Sequence, residues 1–434
     1  MSRNISQLSE TKISVDFKGF PISAQGKSIA QFLDSKPNIF KSDFLFPILV
    51  IKESALKNNL ETMARFCSNQ KVKLSPHVKT SMSPQLATLQ SKYGAVSLTI
   101  ANLQQLFVFK DFGFNTFFIA NEVANDAALI QIGKFNSSLE AKISFCVDSV
   151  NSAKRIAQLC QNNSDLKFEI YLEIGSNNAR GGIRNLDDVA TILTILKVRQ
   201  VVISGISGFE GALPNAARSK RGLKSVSKFA KKMLAALEIA EQQVGNKLKL
   251  TAGGSAFFDV VATELSQNGK NEVILRSGGY LTHDHVHYED IYPFRNSKDF
   301  KFLPALELWS EVLSQPEKGF ALLNFGKRDV GNDLDNPVPL WHIPNSNRTK
   351  GISAASQISA EITQLNDQHG FMKYRKVNDS KISTSSTSST SSNIEYSDLI
   401  GLGISHPCTN FDKWKILFVV NDDYDVIDCI QTFF

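Results

Sequence analysis

Between residues 73 and 278 the hydrophobic pattern repeats one unit: a short run rich in Val, Ile and Phe, then a turn and a longer stretch with apolar residues at helical spacing. The runs fall at 73–80, 95–100, 115–120, 142–147, 168–174, 201–207, 248–253 and 272–278, and the helical stretches between them include 101–112, 149–162 and 219–244. Strands joined through helices run parallel and bury both faces of their sheet. Eight such units predict a (β/α)8 TIM-type barrel, whose chemistry gathers at the C-terminal ends of the strands because the loops there form the open face. Lys79, Arg180, Glu210, Gly253 and Gly278 all lie at or just past predicted strand ends.

Outside this stretch the pattern changes. The run 46–52 is strand-like but has no place in a count of eight, so it is expected to pair with a second domain. After about residue 298 helical pairs become scarce, and short alternating segments such as 319–325 and 414–420 predict antiparallel strands. The expected division is an extension, 1–45, packing on the β domain; a barrel domain, 46–297, whose first strand 46–52 joins the β domain; and a β-rich C-terminal domain, 298–434. Within the last, 383–393 holds only Ser and Thr until Asn393. Such a composition cannot bury a core and predicts a flexible surface loop.

Composition narrows the functional classes. The net charge of +6 arises from 48 basic and 42 acidic residues spread along the chain without a polybasic block, which argues against a nucleic-acid partner. No apolar run is long enough to cross a bilayer, and residues 1–27 lack the continuous apolar core of a signal peptide, so no membrane partner is expected. The five cysteines, odd in number and without a CxxC pair, point to a reducing compartment and a cytoplasmic protein.

Several residues stand where chemistry is expected. Lys79, at the end of the first barrel strand, is placed by two-residue alternation on the same side as His77. Its ordinary alternative is a lysine that solvates a strand end. Gly253-Gly254-Ser255 and Ser277-Gly278-Gly279 close the last two strands, where backbone N–H groups at glycine turns commonly grip phosphate; one such pair alone would read as a tight turn. Arg180 offers a planar fork to a ring hydroxyl or a carboxylate, or forms a surface ion pair. His406 and Cys408, two apart on a predicted strand edge, could share a metal. The soft thiolate favours zinc, while the alternative is a buried cysteine beside an incidental histidine. Alternation would likewise put His283, His285 and His287 on one face, with a second metal site as the distant alternative to a contact near the substrate.

Taken in order, the segments PHVKTSMSPQL (76–86), EIGSNNARGGI (173–183), GFEG (208–211), TAGGS (251–255), LRSGGY (275–280), DQHG (367–370) and SHPC (405–408) resemble landmarks of the fold-type III pyridoxal-phosphate enzymes. The resemblance covers most of the chain and lies in the branch with an alanine racemase-like N-terminal domain that contains D-serine dehydratase and D-threonine aldolase. It implies that Lys79 carries pyridoxal 5'-phosphate as an internal Schiff base. It further implies a cofactor site built from Lys79, His77, Arg180, Gly253, Gly254, Ser255, Ser277, Gly278, Gly279 and Tyr280, with His283 and His285 at the substrate or just behind it. His406 and Cys408 match the branch's zinc pair, although D-threonine aldolases, with His-x-Asp there, use other divalent ions.

The implied activity is dehydration of a small D-3-hydroxy amino acid, of the D-serine dehydratase type, to a 2-oxo acid and ammonia. Alternatives are retro-aldol cleavage of the D-threonine aldolase type and a non-catalytic pyridoxal-phosphate binder, which the C-terminal domain and the metal pair argue against. Racemisation would need a second base that the sequence does not supply. A homodimer is the implied assembly. Two departures stand out: Phe209 replaces the tyrosine that relatives place before Glu-Gly, facing the ring nitrogen, and Ser75, Ser81 and Met82 bring the lysine motif closer to bacterial amino acid deaminase-like members.

Overall fold

A computed structural model describes residues 3–267, 269–295, 297, 299–374 and 393–434. Strand β1 (Ile48–Lys52) is followed by eight strands that alternate with helices: β2 (Lys73–Leu74), β3 (Leu98–Ile100), β4 (Thr116–Glu122), β5 (Lys142–Val147), β6 (Phe168–Ile174), β7 (Val201–Gly208), β8 (Lys249–Ala252) and β9 (Val273–Leu275). These eight form one parallel sheet in the order β2-β9-β8-β7-β6-β5-β4-β3. The bridges Leu74 to Ala95 and His77 to Thr99 join its two ends, so the sheet closes as the apolar runs predict.

Alternation along each strand divides the barrel core. Phe117 and Ile119 point outward into the layer beneath the helices, whereas Phe118 points inward with Cys146 and Tyr171. The helix Lys220–Val244 shows how the outer layer is specified. Val226, Phe229, Ala230, Met233, Leu237 and Ala240 recur on one buried stripe, the Ser219 hydroxyl accepts from the Gly222 N–H, and Gly245 ends the helix at φ +79°. Each large side chain buried there contributes roughly 2–3 kcal/mol of transfer free energy.

The second layer is antiparallel, as expected of the C-terminal region. Its strands are β10 (Leu306–Glu317), β11 (Phe320–Leu323), β12 (Val338–Ile343), β13 (Ser356–Gln357), β14 (Ala360–Leu365), β15 (Gly370–Tyr374), β16 (Leu399–Gly403), β17 (Ile416–Val420) and β18 (Val426–Gln431). Strand β1 lies in this sheet, antiparallel to β10 and parallel to β17. The helix after β1, Glu53–Gln70, sends Leu56 and Leu60 into the β-domain core and Met63 and Phe66 into the barrel core, so it couples the two layers. Residues Ile13, Phe20, Phe32, Phe40 and Phe44 of the N-terminal stretch pack on Trp309 and Phe418 of the β sheet. The Ser/Thr stretch 383–392 lies outside the described residues. No helix among the described residues is long and apolar enough to cross a membrane.

Candidate active site

The strand that leads to Lys79 is shorter than the hydrophobic pattern suggests. It ends at Leu74, and residues 78–81 form a turn, closed by the Met82 N–H donating to the Val78 carbonyl. Beyond Leu74 only isolated pairing continues, the His77 N–H donating to the Arg276 carbonyl past Pro76, which has no N–H of its own. Two-residue alternation therefore stops at His77 and does not fix the direction of Lys79. Lys79 is solvent-exposed on the barrel's C-terminal face, and its ammonium is near enough to bias both His77 and Cys408. His77 lies below it. Burial, then the charges of Lys79, Arg276 and Arg180, hold the imidazole well below the usual histidine range, and its Nδ1 is buried without a partner.

The two late glycine turns are stitched together beside this lysine turn. The Ser277 hydroxyl donates to the Gly253 carbonyl at 2.9 Å, and the Gly279 N–H donates to Ser255 Oγ at 3.2 Å. A Cβ at Gly278 would stand 2.2 Å from the His77 carbonyl oxygen, so only glycine lets the turn approach the lysine segment this closely. One expectation needs correction. The N–H groups of Gly253 and Gly254 do not point free toward a phosphate but donate to Glu210, at 3.1 and 2.6 Å. Glu210 is fully buried, and burial raises its pKa although the two N–H donors and Arg276 act in the opposite sense. Glu210 thus braces the turn from below, leaving Ser255 and the 277–279 turn as the groups that face the mouth. Glu210→Ala would orphan two buried donors, at a cost of about 1–3 kcal/mol each. We expect a clear fall in thermal midpoint by calorimetry, and a smaller one for Glu210→Gln, which keeps an acceptor.

Arg180 stacks on Phe209, its guanidinium carbon 5.0 Å from the ring centre. The loop that carries it is wrapped around Arg184, which donates to the carbonyls of Gly181 and Gly182, and is tied down by Lys232 on the Gly175 carbonyl. Phe209 is therefore a platform for Arg180 and supplies no polar partner. Beneath the mouth lies Arg276, buried, donating to Ser207 Oγ at 2.8 Å and to the Gly208 carbonyl at 2.6 Å, with its guanidinium 5.1 Å from the Phe118 ring centre. Ser207 in turn donates to Glu173, which also accepts from the Cys146 thiol at 3.1 Å. Arg276 sits inside the LRSGGY landmark, yet its inward direction could be known only from the strand register.

Tyr280 stands apart from this mouth. Its hydroxyl accepts from Gln90 at 3.2 Å and its ring packs near Phe302 in the barrel core, so it supports the glycine turn from behind. The 283–287 run is likewise no strand, and its imidazoles do not share a face. His283 has φ +46° and pairs with Glu289 at 3.0 Å. His285 packs against Gly403 with its Nδ1 buried and unpartnered, and desolvation followed by the charge of His283 lowers its pKa to about 4. His287 begins a short helix, His287–Ile291, whose N-terminus is held by Asp284 accepting from Val286, Tyr288 and Glu289.

Burial raises the Asp284 pKa to about 6 despite these donors. A carboxyl whose folded pKa exceeds its unfolded value favours folding when protonated, so this contribution is full below about pH 4 and is lost as pH rises through 6. Asp284→Asn should abolish that loss while keeping the cap. The expected gain at pH 8 is up to about 3 kcal/mol, read as a thermal midpoint that no longer falls between pH 4 and 6.

The same segment bridges the two domains: the His285 and His287 N–H groups donate to the carbonyls of Ile404 and Ser405. This brings the candidate metal pair over the barrel mouth. His406 and Cys408 do not lie along a strand; β16 ends at Gly403 and Pro407–Thr409 is a helical turn. They nevertheless come together. Burial would raise the Cys408 pKa, but the hydrogen bond and charge of His406, the Thr80 hydroxyl at 3.2 Å and Lys79 bring it below the usual thiol value. Burial opposes charge on His406, while Cys408 and Asp333 outweigh it and raise its pKa to about 9. His406 Nδ1 lies 2.8 Å from Asp333, whose other oxygen accepts from Thr409. A carboxylate on one imidazole nitrogen leaves Nε2 turned to a metal, an arrangement usual behind metal-binding histidines. Tyr288 fills the space between: its ring covers Gly279 and its hydroxyl is 4.0 Å from Cys408 Sγ. Neither Asp333, 73 residues from His406 in the chain, nor Tyr288, which meets Cys408 across the domains, was legible before the fold.

A barrel of this topology, with a lysine, two glycine turns and a β domain at its mouth, defines the alanine racemase-like class. Residues 51–257 match the family "Alanine racemase, N-terminal domain" and residues 305–420 match "Putative serine dehydratase domain". The chain belongs to the fold-type III pyridoxal-phosphate enzymes. Among curated proteins, D-threo-3-hydroxyaspartate dehydratase of Delftia sp. (strain HT23) is 29% identical over 149 residues; the match spans 34% of this chain and 38% of that relative's length. Among solved structures, D-threonine aldolase from Filomicrobium marinum superposes with a TM-score of 0.69 at 19% identity, over 90% of this chain and 95% of that one. The Delftia dehydratase superposes with a TM-score of 0.67 at 18% identity, over 91% of this chain and 99% of that one.

Proposed function

We propose that the protein is a pyridoxal-phosphate-dependent lyase that removes water from a small D-3-hydroxy amino acid with the help of a divalent metal, the released enamine then taking up water to give a 2-oxo acid and ammonia. The observation that carries this reading is the meeting of the two domains: Cys408 Sγ lies 3.2 Å from Thr80 Oγ1, one residue from Lys79. Both halves of a metal-assisted elimination are thereby held at one mouth.

The residues fit the groups they would hold. Lys79 is the amine open at the mouth, the orphaned Nδ1 of His77 awaits a polar partner, and Ser255 with the 277–279 turn forms the cradle beside them. His406 Nε2 and Cys408 Sγ are a mixed nitrogen and thiolate set suited to zinc. When bound, pyridoxal phosphate draws electrons from the amino acid's Cα, and zinc draws them from a β-hydroxyl. Lys79 Nζ would be the base that takes the Cα proton. Arg180, held flat on Phe209, offers its fork to an anionic group at the mouth. Thr80 donates to the Cys408 sulfur and favours the thiolate. Tyr288, between the glycine turn and the metal pair, excludes water from the gap.

The test is to supply purified protein with D- and L-3-hydroxy amino acids, with and without a chelator. Formation of 2-oxo acid and ammonia from a D-hydroxy amino acid, lost on chelation and restored by zinc, is the expected result. Glycine and an aldehyde as products would place the protein with the aldolases instead. We further propose a homodimer as the working assembly and a cytoplasmic setting, the first checked by light scattering of the full chain.

A further inference from the structure

Two protein ligands are few for zinc, and the structure places a third imidazole beside the pair. His287 lies at the start of the helix His287–Ile291, tethered by its N–H to the Ser405 carbonyl at 3.1 Å, one residue before His406. Its ring centre is 5.3 Å from that of His406. Two imidazoles bound tetrahedrally to one zinc at about 2.0–2.1 Å have ring centres roughly 5 Å apart, so the observed spacing lets both rings reach one ion. The ring is half-buried and, among the described residues, its nitrogens make no hydrogen bond; its ring neighbours are His406 and Tyr288. Asp333, Asp335 and Asp290 surround it with negative charge that favours a dication.

We propose that His287 is a third protein ligand of the metal held by His406 and Cys408, an inference that rests on the metal-assisted reading above. Among the described residues no three His, Cys, Asp or Glu side chains already converge on one metal-sized point. His287 therefore closes on the ion by turning about its own side-chain bonds when the ion binds. Two imidazoles and a thiolate leave one position of a tetrahedral zinc for water or a substrate hydroxyl, the pattern of open catalytic sites. The ligand set is also matched to its charge, since the thiolate neutralises one of the two positive charges and keeps the ion a Lewis acid.

The experiment uses the full-length chain loaded with zinc, X-ray absorption at the zinc edge, and chelator competition on wild type, His287→Ala, His287→Gln and Cys408→Ala. Wild type should show two imidazoles and one sulfur. Both His287 variants should show one imidazole fewer and zinc affinity lower by at least about a hundredfold, because even a residue behind a ligand is worth about 10- to 100-fold. An unchanged cofactor absorbance band in the variants certifies the fold. Wild-type affinity in His287→Ala, with one imidazole in the wild-type spectrum and zinc still lost in Cys408→Ala, overturns the role of His287 and leaves the pair intact. Absence of zinc from wild type overturns both the pair and this inference.

Discussion

Lys79→Ala protein is expected to fold, to lose the visible absorbance of a covalently held cofactor, and to retain at most a residual activity, down by roughly 10³- to 10⁴-fold or more. The proposed function gives Lys79 two roles that would end together in this variant: the tether at the barrel mouth and the base for the Cα proton. Folding should survive because Lys79 is exposed and contributes no core contact. The turn around it is held by backbone bonds and by the neighbours Val78 and Met82, both buried. Added primary amines should restore part of the proton-transfer rate without restoring the covalent tether. A variant that kept both the absorbance and the rate would show that another amine holds the cofactor.

The second large effect is expected from Cys408→Ala. Its side chain touches Thr80 and Tyr288, and its thiolate character depends on His406 and Lys79. Removing the sulfur should abolish tight zinc binding, lower elimination by about a hundredfold or more, and leave the cofactor spectrum in place, since no glycine-turn residue bonds to it. Cys408→Asp exchanges a soft ligand for a hard one and should move the metal preference from zinc toward manganese. Turnover by Cys408→Ala at the wild-type rate, unaffected by chelator, would separate this chain from metal-assisted chemistry.

The sequence was most informative where one periodicity ran unbroken. All eight barrel strands overlap the apolar runs, and the helix Lys220–Val244 differs from its predicted span by a single residue at the start. Residues just past strand ends were harder. Lys79, the 283–287 histidines and the His406–Cys408 pair were each assigned directions by two-residue alternation, yet each lies in a turn or short helix where that rule lapses. The metal pair still converges because His406 stands in extended backbone just before the helical turn that carries Cys408. The histidine run does not, because a positive φ at His283 and the helix start at His287 send the three rings different ways. Glu210 shows a different limit. Its place at a predicted strand end put it on the catalytic face, and only the fold reveals that it fills the N–H cradle from within. Asp333 becomes legible only once the β domain folds it onto His406, and Tyr288 only once that domain is docked on the barrel.

The most direct measurement of the central claim is borohydride reduction of the holoprotein followed by peptide mass mapping. Reduction fixes the reversible link between a lysine and the cofactor aldehyde. A reduced pyridoxyl group is expected on the peptide containing Lys79 and on no other. A label on a different lysine, or no label in protein that shows full lyase activity, would contradict it.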